Sequence, residues 1–121
     1  MRELSIYIKT DKKFKQFIED FNELFHMNLK IREEADNRLM CKFYLLDIET
    51  LLYDNHGMED DMGIAFSQYD FCLSLDKINR GGVSEEYDNL YNSIAKYYIK
   101  RLSDEFNAKC ILVEDSQRLL T

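Results

Sequence analysis

The stretch LSIYIKTDKKFKQFIEDFNELF, residues 4–25, decides the fold. Its first six residues alternate apolar and polar side chains, and this period of two predicts a half-buried β-strand. Thr10 is expected to cap a following helix, with Asp11 in its first turn. The helix is expected to be amphipathic, because bulky apolar side chains recur at helical spacing: Phe14, Phe17, Ile18, Phe21, Leu24 and Phe25. A strand followed by a helix that can cover it indicates a domain built from one sheet and packed helices.

Further strands are predicted by the same alternation. Residues 28–33 and 39–45 predict a hairpin, and an extended run beginning at Ile64 leads into a central strand at residues 69–76. Residues 47–53 fit either a bent strand or a helical turn, because periodicity does not separate the two at this length.

A second helix is predicted between a cap at Ser84 and an end at Asn107, and a short apolar strand follows at residues 108–114. Together these patterns predict a single α+β domain over residues 1–121. Its sheet is expected to hold five or six mostly antiparallel strands, with two amphipathic helices packed on one face.

Composition places the chain among ordinary globular domains. With 121 residues, 45% of them hydrophobic and 32% charged, it suits one folded domain and excludes disorder as its main state. No apolar run approaches the roughly 18 residues of a membrane span, and charged residues interrupt the region where a secretory signal would lie. The three cysteines are widely spaced and predict reduced thiols rather than disulfides or a metal clip: Cys41, Cys72 and Cys110. The expected location is the cytoplasm.

The net charge of -7 comes from one part of the chain. Residues 47–76, the acidic segment, hold eight acidic residues and no Lys or Arg, whereas residues 1–46 sum to +1 and residues 77–121 to zero. Such a field repels phosphate backbones and anionic lipid, so neither nucleic acid nor membrane is an expected partner. It suits a docking surface for a basic protein. The candidate contacts are the carboxylates Asp54, Glu59, Asp60, Asp61 and Asp70, with Tyr53 and Tyr69 as aromatic anchors.

Other uses of the acidic segment stay open at this point. It could be a solvated loop that aids solubility, or a DNA-mimicking inhibitor whose acids imitate phosphates. His56 and the nearby carboxylates could also serve a small metal-assisted hydrolase, although their order fits neither a calcium loop nor a zinc helix. Catalytic serine and phosphate-loop motifs are missing as well. The sequence therefore predicts a non-enzymatic protein with no catalytic residue, bound metal or cofactor.

The run DDMGIAFSQYDF, residues 60–71, resembles a segment of small cytoplasmic immunity proteins from bacterial contact-dependent inhibition and related polymorphic toxin systems. In those proteins a Gly-Ile-x-Phe-Ser-x-Tyr-like stretch leads into a strand. The resemblance implies a non-enzymatic protein that neutralises one cognate toxin, commonly a nuclease, by covering its active site or another essential surface. It assigns no interface residue, because interface positions differ from pair to pair. Together with the charge, it predicts an immunity module for a basic toxin domain.

Overall fold

A computed structural model describes residues 3–34, 37–61, 63–77, 85–114 and 118–119. Within these ranges lie seven strands and two α-helices. In chain order they are β1 (Glu3–Lys9), α1 (Phe14–Phe25), β2 (Arg32–Glu33), β3 (Leu39–Leu45), β4 (Ile48–Asp54), β5 (Phe71–Lys77), α2 (Glu85–Phe106), β6 (Lys109–Glu114) and β7 (Arg118–Leu119).

The strands form one sheet in the order β2-β3-β4-β5-β1-β6-β7, and every neighbouring pair is antiparallel. Five strands contain six or seven residues, whereas the outermost strands β2 and β7 contain two each. The strand β5 occupies the centre of the order, as its sequence predicts. The predicted α+β class with an antiparallel sheet is therefore confirmed.

Both helices bury their apolar faces against the same face of the sheet. One cluster joins α1 and α2 to the inward side chains of β1, β4 and β5. Its aromatic members include Phe17 and Phe21 from α1, whose ring centroids are 6.1 Å apart. Burying each such ring contributes on the order of 1.5–3 kcal/mol, so this layer supplies most of the apolar stabilisation. No helix in the described ranges is long and apolar enough to span a membrane.

The start of α1 differs from the prediction. The helix begins at Phe14 after Lys13, which makes no side-chain capping bond, and no acidic residue lies in its first turn. Thr10 is three residues too early: its hydroxyl accepts the N–H of Lys12 at 3.3 Å and forms a turn before the helix. The Thr10 N–H is itself held by the carboxylate of Asp70 at 3.0 Å. A contact sixty residues away along the chain thus fixes Thr10 outside the helix.

The first predicted hairpin strand is much shorter than its alternation indicates. Of residues 28–33 only Arg32 and Glu33 pair with β3. The cause is Asn22 in α1, whose side-chain amide accepts the Leu29 N–H at 2.8 Å and donates to the Leu29 carbonyl at 3.1 Å. Because this side chain satisfies both backbone groups of Leu29, the segment is tied to the helix rather than to the sheet.

The ambiguous residues 47–53 form most of β4. They pair with β3 on one side and β5 on the other, and Ile48, Thr50 and Leu52 are buried. At the other end of α2, Asn107 adopts a positive φ of 53° and ends the helix as predicted. Ser84, the predicted cap of α2, lies outside the described residues.

Tyr91 ties the second helix to the centre of the sheet. Its side chain is fully buried, and its hydroxyl accepts the Leu4 N–H at 3.0 Å and donates to the Leu75 carbonyl. Leu4 and Leu75 face each other in the register of β1 and β5. The hydroxyl therefore satisfies one backbone group on each of the two central strands.

Replacing Tyr91 with Phe is expected to lower the free energy of unfolding by about 1–3 kcal/mol, because two buried backbone groups lose a hydrogen-bond partner. Denaturant titration would measure the change. The matched control is Tyr97→Phe, since the Tyr97 hydroxyl accepts an exposed bond from Arg101 and its loss should change stability by no more than about 0.5 kcal/mol. Equal effects of the two substitutions would contradict this role of Tyr91.

Candidate protein-binding surface

The sheet face opposite the helices is covered by the connection between β4 and β5. This connection, residues 55–70, is called the acidic loop below; its residue 62 lies outside the described part of the chain. Ile64, Phe66 and Tyr69 of the loop form a second apolar cluster with strand side chains that point away from the helices: Tyr7, Cys72 and Val113. The loop is therefore a packed layer of the domain.

The structure corrects the strand predicted to begin at Ile64. Ile64 makes an isolated bridge with Asp61, and residues Phe66–Gln68 form a 3-10 turn before β5 begins at Phe71. The alternation from Ile64 to Phe66 reflects packing instead, because both side chains pack against the sheet. The ring centroids of Phe66 and Tyr7 are 4.8 Å apart. Apolar side chains two residues apart in the sequence can both face a core without belonging to a strand.

His56 holds the two ends of the acidic loop together. Its Nδ1 accepts the Met58 N–H at 3.0 Å, and its Nε2 lies 2.8 Å from the carbonyl of Tyr69. This pattern assigns the ring proton to Nε2, which donates to Tyr69. The ring also stands edge-on to Tyr7, with centroids 5.3 Å apart. Both ring nitrogens thus serve the backbone of this chain, and His56 is placed as a structural brace.

The acids at the tip of the loop sit in a tight turn. Asp61 and Ile64 exchange two backbone hydrogen bonds, at 2.8 and 3.1 Å, and Gly63 between them has a φ of 76° that a residue with a side chain rarely adopts. The Asp60 carboxylate accepts the Ser67 N–H at 2.8 Å, and this bond holds the pKa of Asp60 below its ordinary value. Asp60 therefore stays ionised at neutral pH while it orders the turn.

Two other predicted contacts hold strand ends in place. The Asp70 carboxylate accepts the Thr10 N–H at 3.0 Å, while the Asp70 N–H donates to the Ile8 carbonyl at 2.8 Å. The Asp54 carboxylate accepts the Leu39 N–H at 2.8 Å. Asp70 remains exposed, whereas Asp54 is partly buried at the end of β4.

The structure brings four of the five predicted carboxylates onto the acidic loop as exposed side chains: Glu59, Asp60, Asp61 and Asp70. Within the described residues, no lysine or arginine forms an ion pair with Glu59, Asp60 or Asp70. Their negative charge is therefore not neutralised by those cations. The loop can attract lysine and arginine side chains of another protein over a distance of about a Debye length.

The two predicted aromatic anchors lie beneath the loop. Tyr69 is 9% exposed and belongs to the second apolar cluster, so its ring offers a partner little surface. Tyr53 is half-buried, and burial strongly raises the pKa of its hydroxyl. The guanidinium of Arg38 lies 4.8 Å from the Tyr53 ring. Both tyrosines support the loop from the sheet side.

Two residues that position the loop are not identified by the sequence reasoning. Tyr7 lies on the nominally polar side of β1 yet is only 1% exposed, and Ser67 acts through its backbone N–H. The large aromatic side chain of Tyr7 between Ser5 and Lys9 indicates, from the sequence alone, that the sheet face pointing away from the helices is also covered. No sequence signal pairs Ser67 with Asp60.

The chain matches no known protein-family model, and no curated protein is significantly similar to it.

Replacing His56 with Ala is expected to open the acidic loop and to lower the free energy of unfolding by about 1–3 kcal/mol, because two braced backbone groups lose their partner. Cys72 reports the opening: it lies under the loop, and burial raises the pKa of its thiol to about 12. In a background with Cys41→Ala and Cys110→Ala, a thiol reagent should label Cys72 faster after the His56 substitution.

The matched control for this experiment is His26→Ala. His26 is exposed, ends α1 with a φ of 55° and is absent from the second apolar cluster. The His26 substitution should leave the labelling rate of Cys72 unchanged, because His26 does not contact the loop or the second apolar cluster. Unchanged labelling of Cys72 in the His56 variant would contradict the bracing role.

Proposed function

We propose that this chain is a non-enzymatic immunity module that binds a basic toxin domain through the acidic loop, in the cytoplasm. The observation that carries the proposal is the placement of Glu59, Asp60, Asp61 and Asp70 as exposed carboxylates on one packed loop. A nuclease domain, which must hold phosphates, presents the basic surface that such a loop complements. Binding there would compete directly with the nucleic-acid substrate.

The bracing of the loop favours a recognition role over simple hydration. Turn bonds at Asp61 and Ile64, the Asp60 bond to Ser67 and the His56 bridge all fix the loop before any partner arrives. A preformed charged surface loses less conformational entropy on binding than a mobile one. It also steers a basic partner during diffusion, which raises the association rate.

The hydrolase alternative has less support from the geometry. A metal-assisted reaction would need His56 as a ligand or base, but both of its ring nitrogens are engaged by backbone groups. A DNA mimic would need acids spaced along an extended surface like phosphates. Here three of the acids, Glu59, Asp60 and Asp61, are consecutive residues at a single turn, which favours a compact contact with a protein.

The double charge reversal Glu59→Lys with Asp61→Lys tests the proposal, because it leaves the structural Asp60 in place. The partner to be tested is any basic toxin domain found among the products of the neighbouring genes. Stopped-flow mixing at low salt should show association at least about tenfold slower for the variant, and the difference should shrink as salt is added. Co-expression should also lose its protection of growth.

The matched control carries the same change of charge on the helix side of the domain. Glu19→Lys with Glu23→Lys alters two exposed residues of α1 and should leave the association rate within about twofold of the original. The proposal fails if both double variants slow association equally. It also fails if the unaltered chain neither binds nor protects against that domain.

A further inference from the structure

The outer edge of β3 is open along most of its length. The short strand β2 pairs only with Leu39 and Met40, so residues 41–45 have no neighbouring strand on that side within the described residues. An open edge of this kind presents backbone groups that can pair with another extended chain.

The register of the β3–β4 hairpin identifies which groups point outward. Leu45 faces Ile48 across a two-residue turn, and in such a hairpin this pair exchanges hydrogen bonds within the pair of strands. Because bonding alternates along an antiparallel pair, Phe43 also bonds inward to β4. The N–H and C=O groups of Lys42 and Tyr44 consequently point away from β4 toward the open edge.

An apolar cavity of about 430 Å³ lies beside this edge on the helix side. Its walls include Phe25, the last residue of α1, and Met27 just beyond the helix. Leu45 of β3 and Ile94 and Tyr97 of α2 complete the set used here. Tyr97 is 51% exposed, so the cavity opens to solvent over large apolar side chains. A contiguous apolar surface beside an open strand edge is typical of a site that binds peptide.

The tip of the same hairpin carries an unusual apolar residue. Leu46 is 67% exposed and adopts a positive φ of 55°, a conformation that disfavours leucine and is tolerated by glycine or asparagine. Neither burial nor backbone preference accounts for leucine at this turn. A contact with a bound segment would account for it.

The opposite side of the open edge carries three cationic side chains and two carboxylates, a surplus of one positive charge. Arg32 of β2 and Lys42 of β3 project from the face that points away from the helices, and Lys30 lines the same groove of about 550 Å³. Glu34 lies 3.4 Å from Arg32 and Glu49 lies 3.7 Å from Lys42, and such exposed pairs are weak enough to be exchanged for a partner's carboxylates. Two copies of this chain meeting here would bring the two surplus positive charges together, which disfavours a dimer.

From these features we infer that the β3 edge binds an extended segment of a partner protein whose side chains alternate between apolar and acidic. Side chains of an added strand point to opposite faces of the sheet in turn. The apolar side chains of the bound segment would enter the cavity beside Leu45 and Tyr97. Its acidic side chains would lie against Lys42 and Arg32. This surface is separate from the acidic loop and is tested without it.

The probes are two synthetic peptides, Glu-Leu-Glu-Val-Glu-Leu-Glu and its counterpart with every Glu replaced by Lys. Hydrogen exchange followed by NMR should show slower exchange of the Lys42 and Tyr44 amides when the acidic peptide is added. Cys41 and Phe43, already bonded to β4, should change little. The basic peptide should leave all four amides unaffected. Lack of protection by the acidic peptide, or protection at other strands, would overturn the inference.

Two substitutions test the side-chain contacts. Leu46→Asn should weaken binding of the acidic peptide about tenfold while leaving stability equal or higher, since asparagine tolerates the positive φ. Lys42→Glu should weaken it about fivefold. The matched control is Leu90→Asn, an exposed leucine of α2 that does not line the cavity, and it should leave affinity unchanged.

Two further measurements test whether a second copy of the chain occupies the β3 edge and whether this edge binds independently of the acidic loop. If the Lys42 and Tyr44 amides become protected as the protein alone is concentrated, a second copy occupies the edge and the inference is overturned. The variant Glu59→Lys with Asp61→Lys should bind the acidic peptide as the unaltered chain does. A loss of peptide binding in that variant would show that the acidic loop and the β3 edge are not independent, contrary to the inference.

Discussion

The whole structure depends on covering both faces of the central strands. In β1 the five residues from Leu4 to Ile8 are all buried, so successive side chains need cover on opposite sides of the sheet. Two helices cover one side with aromatic and aliphatic side chains. The other side is covered by the acidic loop, since no third α-helix lies in the described chain. The most acidic part of the protein is therefore held on an apolar base.

Some acidic side chains in this part of the protein supply negative charge and also accept hydrogen bonds that stabilise the fold, whereas others supply charge alone. Asp54, Asp60 and Asp70 each accept a backbone N–H, so their carboxylates satisfy donors that would otherwise lack a protein partner. Glu59 is exposed and makes no such bond in the described structure. A substitution at Glu59 therefore changes the surface charge at little structural cost, whereas a substitution at Asp60 also loosens the turn.

Local sequence patterns predict the elements whose contacts are local or repeated. The alternation of β1 and the aromatic face of α1 predict those elements, and β5 is recognised as central because its apolar face is continuous. Prediction fails where one distant side chain decides the backbone. Thr10 is held by Asp70, and Leu29 is held by Asn22.

The same limit applies to the candidate site. Composition locates the negative charge on the chain, but it does not separate exposed acids from those engaged by the backbone. It also does not reveal that Tyr69 lies under the loop, because burial of that ring depends on the packing of Phe66 and Tyr7. The exposed apolar residues beside the β3 edge are not identified from the sequence either, because the exposure of Leu46 and Tyr97 depends on where the hairpin turn and α2 lie in the fold.

Asn22 links the fold to the second surface. Because its amide takes both backbone groups of Leu29, the chain cannot continue the sheet before Arg32, and the edge of β3 is left open. A sequence that alternates well enough to form a strand is thus held off the sheet by one helix side chain. Edges are usually protected, so an edge kept open beside an apolar cavity favours a binding role over a packing defect. A partner that engaged both this edge and the acidic loop would gain from the two contacts jointly, because the second would form at a high effective concentration.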